Sequence, residues 1–154
     1  MWGVSTGESS VSAVELDQAD ELREAVGEFV RAVRHRSDRI GSGQLDTLGL
    51  LARSDACSIA ELARQRGVRH QSMRSMIIEL EAAELVSRAP DPTDARGSRT
   101  SLTPAGRRLV ESERTARAGA IALASRSLDA RHRRLLEAVP GLLRTLTAAV
   151  VAQE

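Results

Sequence analysis

A chain of 154 residues fits one ordinary domain, and its 42% hydrophobic and 28% charged residues suit a packed core with a solvated surface. No apolar run nears the ~18 residues of a bilayer span, and the opening "MWGVSTGESSVS" has neither the basic start nor the apolar stretch of a secretion signal, so membrane insertion and export are not expected. The net charge of +1 hides a gradient: residues 1–63 hold 6 Arg against 11 acids, residues 64–108 hold 9 against 5, and residues 109–154 hold 7 against 5. A localised anion-binding face in the middle of the chain is the expectation.

Residues 1–11 read as a flexible N-terminus. Ser12 and Glu15 then have the spacing of a capping box and open a helix expected to run to about Arg36, with Leu22, Val26, Phe29, Val30 and Val33 on one apolar stripe. "SDRIGSGQ" breaks the pattern as a loop. "QLDTLGLLARS" reads as a short helix burying Leu45, Leu48, Leu50 and Leu51. A second capping box, Ser58 with Glu61, starts "SIAELARQR", which Gly67 ends; "QSMRSMIIELEAAEL" resumes helical periodicity through Met73, Met76, Ile77 and Leu80. Two amphipathic helices around a tight Gly-containing turn are the makings of a helix-turn-helix.

Beyond it the period becomes extended. "LVSRA" and "RTSLT" are β-compatible, and Pro90, Pro92 and Gly97 between them suit a hairpin loop. Thr103 is a good N-cap with Pro104 at the first helical position, opening a long helix through Leu109, Val110, Ile121, Leu123 and Leu128. Asp129 caps a last helix carrying Leu135, Leu136, Val139, Leu142, Leu143, Leu146 and Val150 nearly all on one face, with Pro140 expected to bend it or delay its regular part. The fold class is therefore mainly α with a small β-hairpin wing: a winged helix-turn-helix flanked by N- and C-terminal helices. Those flanking helices carry longer apolar stripes than a compact winged helix needs, which favours a homodimer over a monomer whose helices fold back on it.

A helix fits the major groove of DNA, and the side chains at its N-terminal end reach base edges first. Here those are Arg69, His70, Gln71, Ser72, Arg74 and Ser75. Arg pairs with guanine, Gln with adenine, and Ser with base or phosphate. No acid lies between Glu61 and Glu79, while Arg64, Arg66, Arg69 and Arg74 do, so a phosphate backbone can approach; the plainer alternative is a solvated basic face. For the loop "RAPDPTDARGSR" the functional reading is a tip in the minor groove, whose negative potential attracts Arg. The plain one is a surface hairpin whose Asp and Pro serve only the turn.

"SIAELARQRGV", "RHQSMRSMIIELEAAELVSR" and "DPTDARGSRTSLTPAGR", in that order, resemble the MarR family of bacterial transcriptional regulators, over roughly residues 14–150. Glu84 stands where the family commonly has Gly, and Arg69 where a capping Ser is common. The resemblance implies a domain over 12–154, with dimerisation helices at 12–36 and 104–151 and a DNA-binding lobe at 44–103. It implies double-stranded DNA and a second copy of the chain as partners, and a ligand-responsive repressor acting on a pseudo-palindromic operator. It also implies that Arg96 enters the minor groove, that Asp94 orients it, and that Arg99 touches phosphate. A small-molecule effector is the further implied partner; an aliphatic pocket of Val26, Phe29, Val33 and Leu48 suits a chain with one Phe, one Trp and no Tyr. Arg34, His35 and Arg36 either attract an anionic ligand or are the solvated end of the first helix.

Cys57 cannot form an internal disulfide, in keeping with a reducing, cytoplasmic setting; it reads as a buried thiol rather than a redox sensor. His35, His70 and His132 are too scattered for a metal site, and no nucleophile elbow, phosphate loop or H-E-x-x-H motif points to catalysis, so neither enzyme activity nor a cofactor is expected. The alternative function is a winged-helix adaptor that binds an acidic protein.

Overall fold

The computed structural model describes residues 11–34, 40–92 and 97–153. Its contacts group the chain into two units, Met1–Arg36 and Ser37–Glu154. The expected flexible segment lies almost wholly outside the described residues, as do His35 and Arg36 at the expected end of the first helix.

In the first unit α1 spans Ala13–Arg34. Its capping box is formed: the Ser12 hydroxyl accepts from the Glu15 N–H at 3.3 Å and the Glu15 carboxylate accepts from the Ser12 N–H at 2.8 Å. The Ser12 hydroxyl, then its N–H, hold that carboxyl below its ordinary range. No residue of α1 is buried, and Leu22, Val26, Phe29 and Val30 all stand exposed.

The second unit runs α2 (Ser42–Leu51), α3 (Ile59–Arg66), α4 (His70–Ala82), β1 (Val86–Pro90), β2 (Ser98–Leu102), α5 (Pro104–Ser125) and α6 (Ala130–Val151). Helix α2 is shorter than the expected 44–54 at its C-terminal end, because Arg53 and Ser54 turn back to bond the carbonyls of Leu50 and Leu51. The α3 capping box is complete, and the Ser58 N–H, then its hydroxyl, hold the Glu61 carboxyl below its ordinary range. That anchoring is present above the ordinary carboxylate pKa and is lost as pH falls through the lowered one. Gly67 ends α3 at φ 61°, the left-handed conformation that glycine adopts at least cost.

The core joins Leu48 and Leu51 of α2, Leu62 of α3, Met73, Ile77 and Leu80 of α4, and Val86 and Leu102 of the hairpin. Each of these side chains contributes about 1.5–3 kcal/mol by leaving water. Strands β1 and β2 pair antiparallel with Val86 opposite Leu102, which puts both core residues on the same face. Cys57 adds a bridge that periodicity does not reveal: its N–H and carbonyl both pair with Thr100, at 3.0 and 2.7 Å, and its side chain is buried.

The passage from α4 through the hairpin to α5 is knotted at one point. Glu84 holds φ 57°, the one positive φ among the described non-glycine residues. Its carbonyl accepts from the Thr103 hydroxyl at 2.7 Å, the Leu85 carbonyl accepts from the Thr103 N–H at 3.1 Å, and the same hydroxyl caps the Gly106 N–H at 3.0 Å. A Cβ on Gly106 collides with the Leu85 carbonyl, so the L-T-x-x-G pattern is a requirement for close approach of α5 to the end of α4. Asp129 caps α6 through the His132 N–H at 2.8 Å, and α6 runs uninterrupted through Pro140. The expected delay of its regular part is absent, and by helical spacing Pro140 lies to the side of the line of Leu135, Val139, Leu142 and Leu146, which are all exposed.

Glu84→Gly removes the left-handed strain and is expected to raise stability by about 1 kcal/mol. Gly106→Ala forces backbone apart and is expected to lower it by about 1–3 kcal/mol. Urea unfolding midpoints check both, and three equal midpoints contradict the account.

Candidate nucleic-acid interface

Helix α4 has two sharply different sides. Met73 and Ile77 are 0% exposed and Leu80 1%, seated on α2 and α3, so the opposite line of the helix is held out to solvent. Arg69, His70, Gln71, Ser72, Arg74 and Ser75 are all exposed, gathered on the first two turns. Gln71 and Ser75, four residues apart, lie on the outermost line, with Arg74 and His70 on one flank and Ser72 on the other. Arg69 is the N-cap with extended backbone and makes no side-chain cap bond, and the first turn holds no acid. The leading N–H groups and the positive end of the helix dipole therefore share this surface with the arginines. Among the described residues, Arg69 and Arg74 take part in no ion pair.

The C-terminal half of α4 is braced by polar contacts to α2 and β1, and α2 is itself tied to α3. Gln44 of α2 donates to the Glu79 carboxylate at 2.9 Å, and Arg66 of α3 reaches Asp46 of α2 at 3.3 Å. Arg88 of β1 donates to Glu81 through two nitrogens, at 2.9 and 2.6 Å. The charge of Glu81 is thus paired within the protein. Looking only at the N-terminal end of the helix misses another exposed member, Ile78, which follows Ser75 on the outward line. The signal was present, since Ile78 falls off the stripe set by Met73, Ile77 and Leu80.

In the wing, Asp94 and Arg96 lie outside the described residues. The Asp91 N–H bonds the Gly97 carbonyl at 3.0 Å and closes the base of the loop. Arg99, expected to touch phosphate, is turned inward: it donates to the Ala56 carbonyl at 2.6 Å and to the Asp91 carboxylate at 3.3 Å, with Glu61 at 3.7 Å. Its guanidinium ties the wing to the segment that leads into α3. The Asp91 carboxylate is thus paired within the protein, by Arg99. Of the residues expected to line an effector pocket, Val26 and Phe29 are exposed and Val33 half-buried on α1, whereas Leu48 is fully enclosed in the core of the second unit and has no surface to offer a ligand. Leucines spaced for one helix face do not distinguish a core from a pocket wall.

Comparison with known proteins gives a consistent result. A family model described as the MarR family matches residues 37–97. An HTH-type transcriptional regulator of Mycobacterium bovis is 32% identical over 130 residues, covering 83% of this chain and 91% of that protein. A Pseudomonas aeruginosa crystal structure described as a transcriptional regulator superposes with a TM-score of 0.80 at 29% identity, over 89% of this chain and 98% of that one. Bordetella bronchiseptica BpsR, whose DNA binding is regulated by 6-hydroxynicotinic acid, superposes with a TM-score of 0.61 at 25% identity, over 85% and 98%.

Arg99→Ala removes the tie between wing and α3. Because the guanidinium is one-third exposed, the expected loss of stability is modest, about 1–2 kcal/mol. Hydrogen exchange at the backbone of β2 should accelerate in the variant; unchanged exchange and an unchanged unfolding midpoint contradict the inward role.

Proposed function

The chain belongs to the MarR family of transcriptional regulators, and we propose that it acts as a homodimeric, effector-responsive repressor on a pseudo-palindromic operator. The observation that carries this reading is the outward line of α4: polar and basic side chains, held rigid from beneath, at the end of a helix whose dipole favours anions. In the major groove Gln71 pairs with adenine, Arg69 and Arg74 take guanine or phosphate, and Ser72, Ser75 and His70 contact base edges or backbone. The loop tip carries Asp94 and Arg96 to the adjacent minor groove, where Arg96 inserts and Asp94 orients it. Arg99 holds the base of the wing against the segment before α3.

Two copies extend the reading to two half-sites about one helical turn apart. The line Leu135, Val139, Leu142 and Leu146 on α6 supports this pairing, as does α1 with no buried residue, because such stripes are costly to leave in water. For the effector, regulation of BpsR by a small aromatic acid supports a ligand response in this chain too. Val26, Phe29 and Val33 of α1 offer apolar surface to it, and the scarcity of aromatic side chains favours an aliphatic contact over a stacked one.

The test starts from duplexes selected by the protein out of a random library, followed by fluorescence anisotropy. Binding should be competitor-resistant, and log affinity should fall linearly with log salt at a slope of about −0.9 per phosphate neutralised. Gln71→Ala should relax preference at one position per half-site by about 1–3 kcal/mol, and Arg96→Ala should weaken binding without unfolding the protein. No preferred sequence, with weak salt dependence, points instead to a protein-binding adaptor. Leu142→Arg should convert a dimer to a monomer in sedimentation equilibrium and abolish tight operator binding; an unaltered mass contradicts the pairing through α6.

A further inference from the structure

Ile78 is an aliphatic residue on the wrong side of its helix for folding. It is 49% exposed while its neighbour Ile77 is 0% exposed, and a β-branched side chain facing water adds nothing to helix propensity or to the core. Its position is the telling feature: Gln71, Ser75 and Ile78 follow one another at i, i+4 and i+7 along the outward line of α4. The carboxylates nearest it in sequence are both engaged, Glu79 by Gln44 and Glu81 by Arg88. The surface leading up to it is basic, with Arg69 and Arg74 in the first two turns and no acid between Glu61 and Glu79. A polyanion can therefore follow α4 as far as Ile78, and what it must present there is an apolar group.

The major groove of DNA offers one such group, the C5-methyl of thymine. We propose that Ile78 reads a thymine methyl in the major groove and is a specificity-determining residue of this chain. This rests on the placement of α4 in that groove. Gln71 and Ile78 are separated by about 10.5 Å along the helix axis, which matches about three base-pair steps at 3.4 Å each. The thymine is therefore placed about three steps from the base that Gln71 contacts, one per half-site. Gln71 supplies hydrogen-bond recognition at one end of the site and Ile78 supplies shape and apolar recognition at the other.

Deoxyuridine differs from thymidine only by the missing methyl, so it isolates this contact. In the selected duplex each thymine is replaced by deoxyuridine, symmetrically in both half-sites, and affinity is measured for the parent and for Ile78→Ala. The expected result is a loss of about fourfold per half-site at one thymine position, about three steps from the position relaxed by Gln71→Ala, and no methyl dependence there in Ile78→Ala. Parent binding that is indifferent to every replacement overturns the proposal, as does a methyl dependence that persists in Ile78→Ala. Either result leaves sequence-specific DNA binding standing. If the library yields no preferred duplex at all, the placement of α4 falls and the role of Ile78 with it.

Discussion

The arrangement of this molecule depends on how the underside of α4 is seated. Met73, Ile77 and Leu80 are sealed against α2 and α3, and a one-position rotation of the helix would bring polar residues into that core. The buried stripe therefore fixes which side chains face outward as firmly as it fixes the fold. Surface residues on a helix are usually free to vary in direction; here Gln71, Ser75 and Ile78 inherit the rigidity of Met73, Ile77 and Leu80 on the buried side of the same helix. Preorganisation of this kind lets a few contacts discriminate between bases, because little ordering remains to be done on binding.

The wing is coupled to that seat by two polar devices. Arg88 clamps Glu81 at the end of α4, and Arg99 clamps the base of the wing to the segment before α3. Both use arginines from the basic middle of the chain, so the local excess of positive charge is only partly a face for anions. The knot of Glu84, Leu85, Thr103 and Gly106 then sets where α5 leaves the winged unit. A residue other than glycine at 84 retains the left-handed turn because two hydrogen bonds to Thr103 hold the backbone there; the strain is local and is offset by the contacts it makes available.

Helix starts are legible in the sequence because the groups that make them are close neighbours, whereas the end of α2 and the effect of Pro140 on α6 are not. The Ser58 and Glu61 box, Thr103 with Pro104, and Asp129 each mark a helix start through groups no more than three residues apart, and each is found as expected. The exposure of Arg69 to Ser75 follows from the same periodicity that buries Met73 and Ile77. What periodicity does not carry is tertiary. The inward turn of Arg99 depends on the Ala56 carbonyl, far away in the chain, and the bridge of Cys57 to Thr100 is a single-residue pairing without a pattern. Leu48 has the same spacing as a pocket-lining leucine and is core only because α3, α4 and the hairpin close over it. Ile78 was legible in principle, as an apolar residue off the stripe.

The claim at the centre is that the outward line of α4 lies in the major groove. Methylation protection with dimethyl sulfate tests it most directly, because the reagent reports guanine N7 in the major groove and adenine N3 in the minor groove of the same duplex. The account predicts two patches of protected guanine N7 on one face of the selected duplex, centred about one helical turn apart, with protected adenine N3 beside them where the wings reach. Full protein occupancy with guanine N7 unprotected throughout would contradict it.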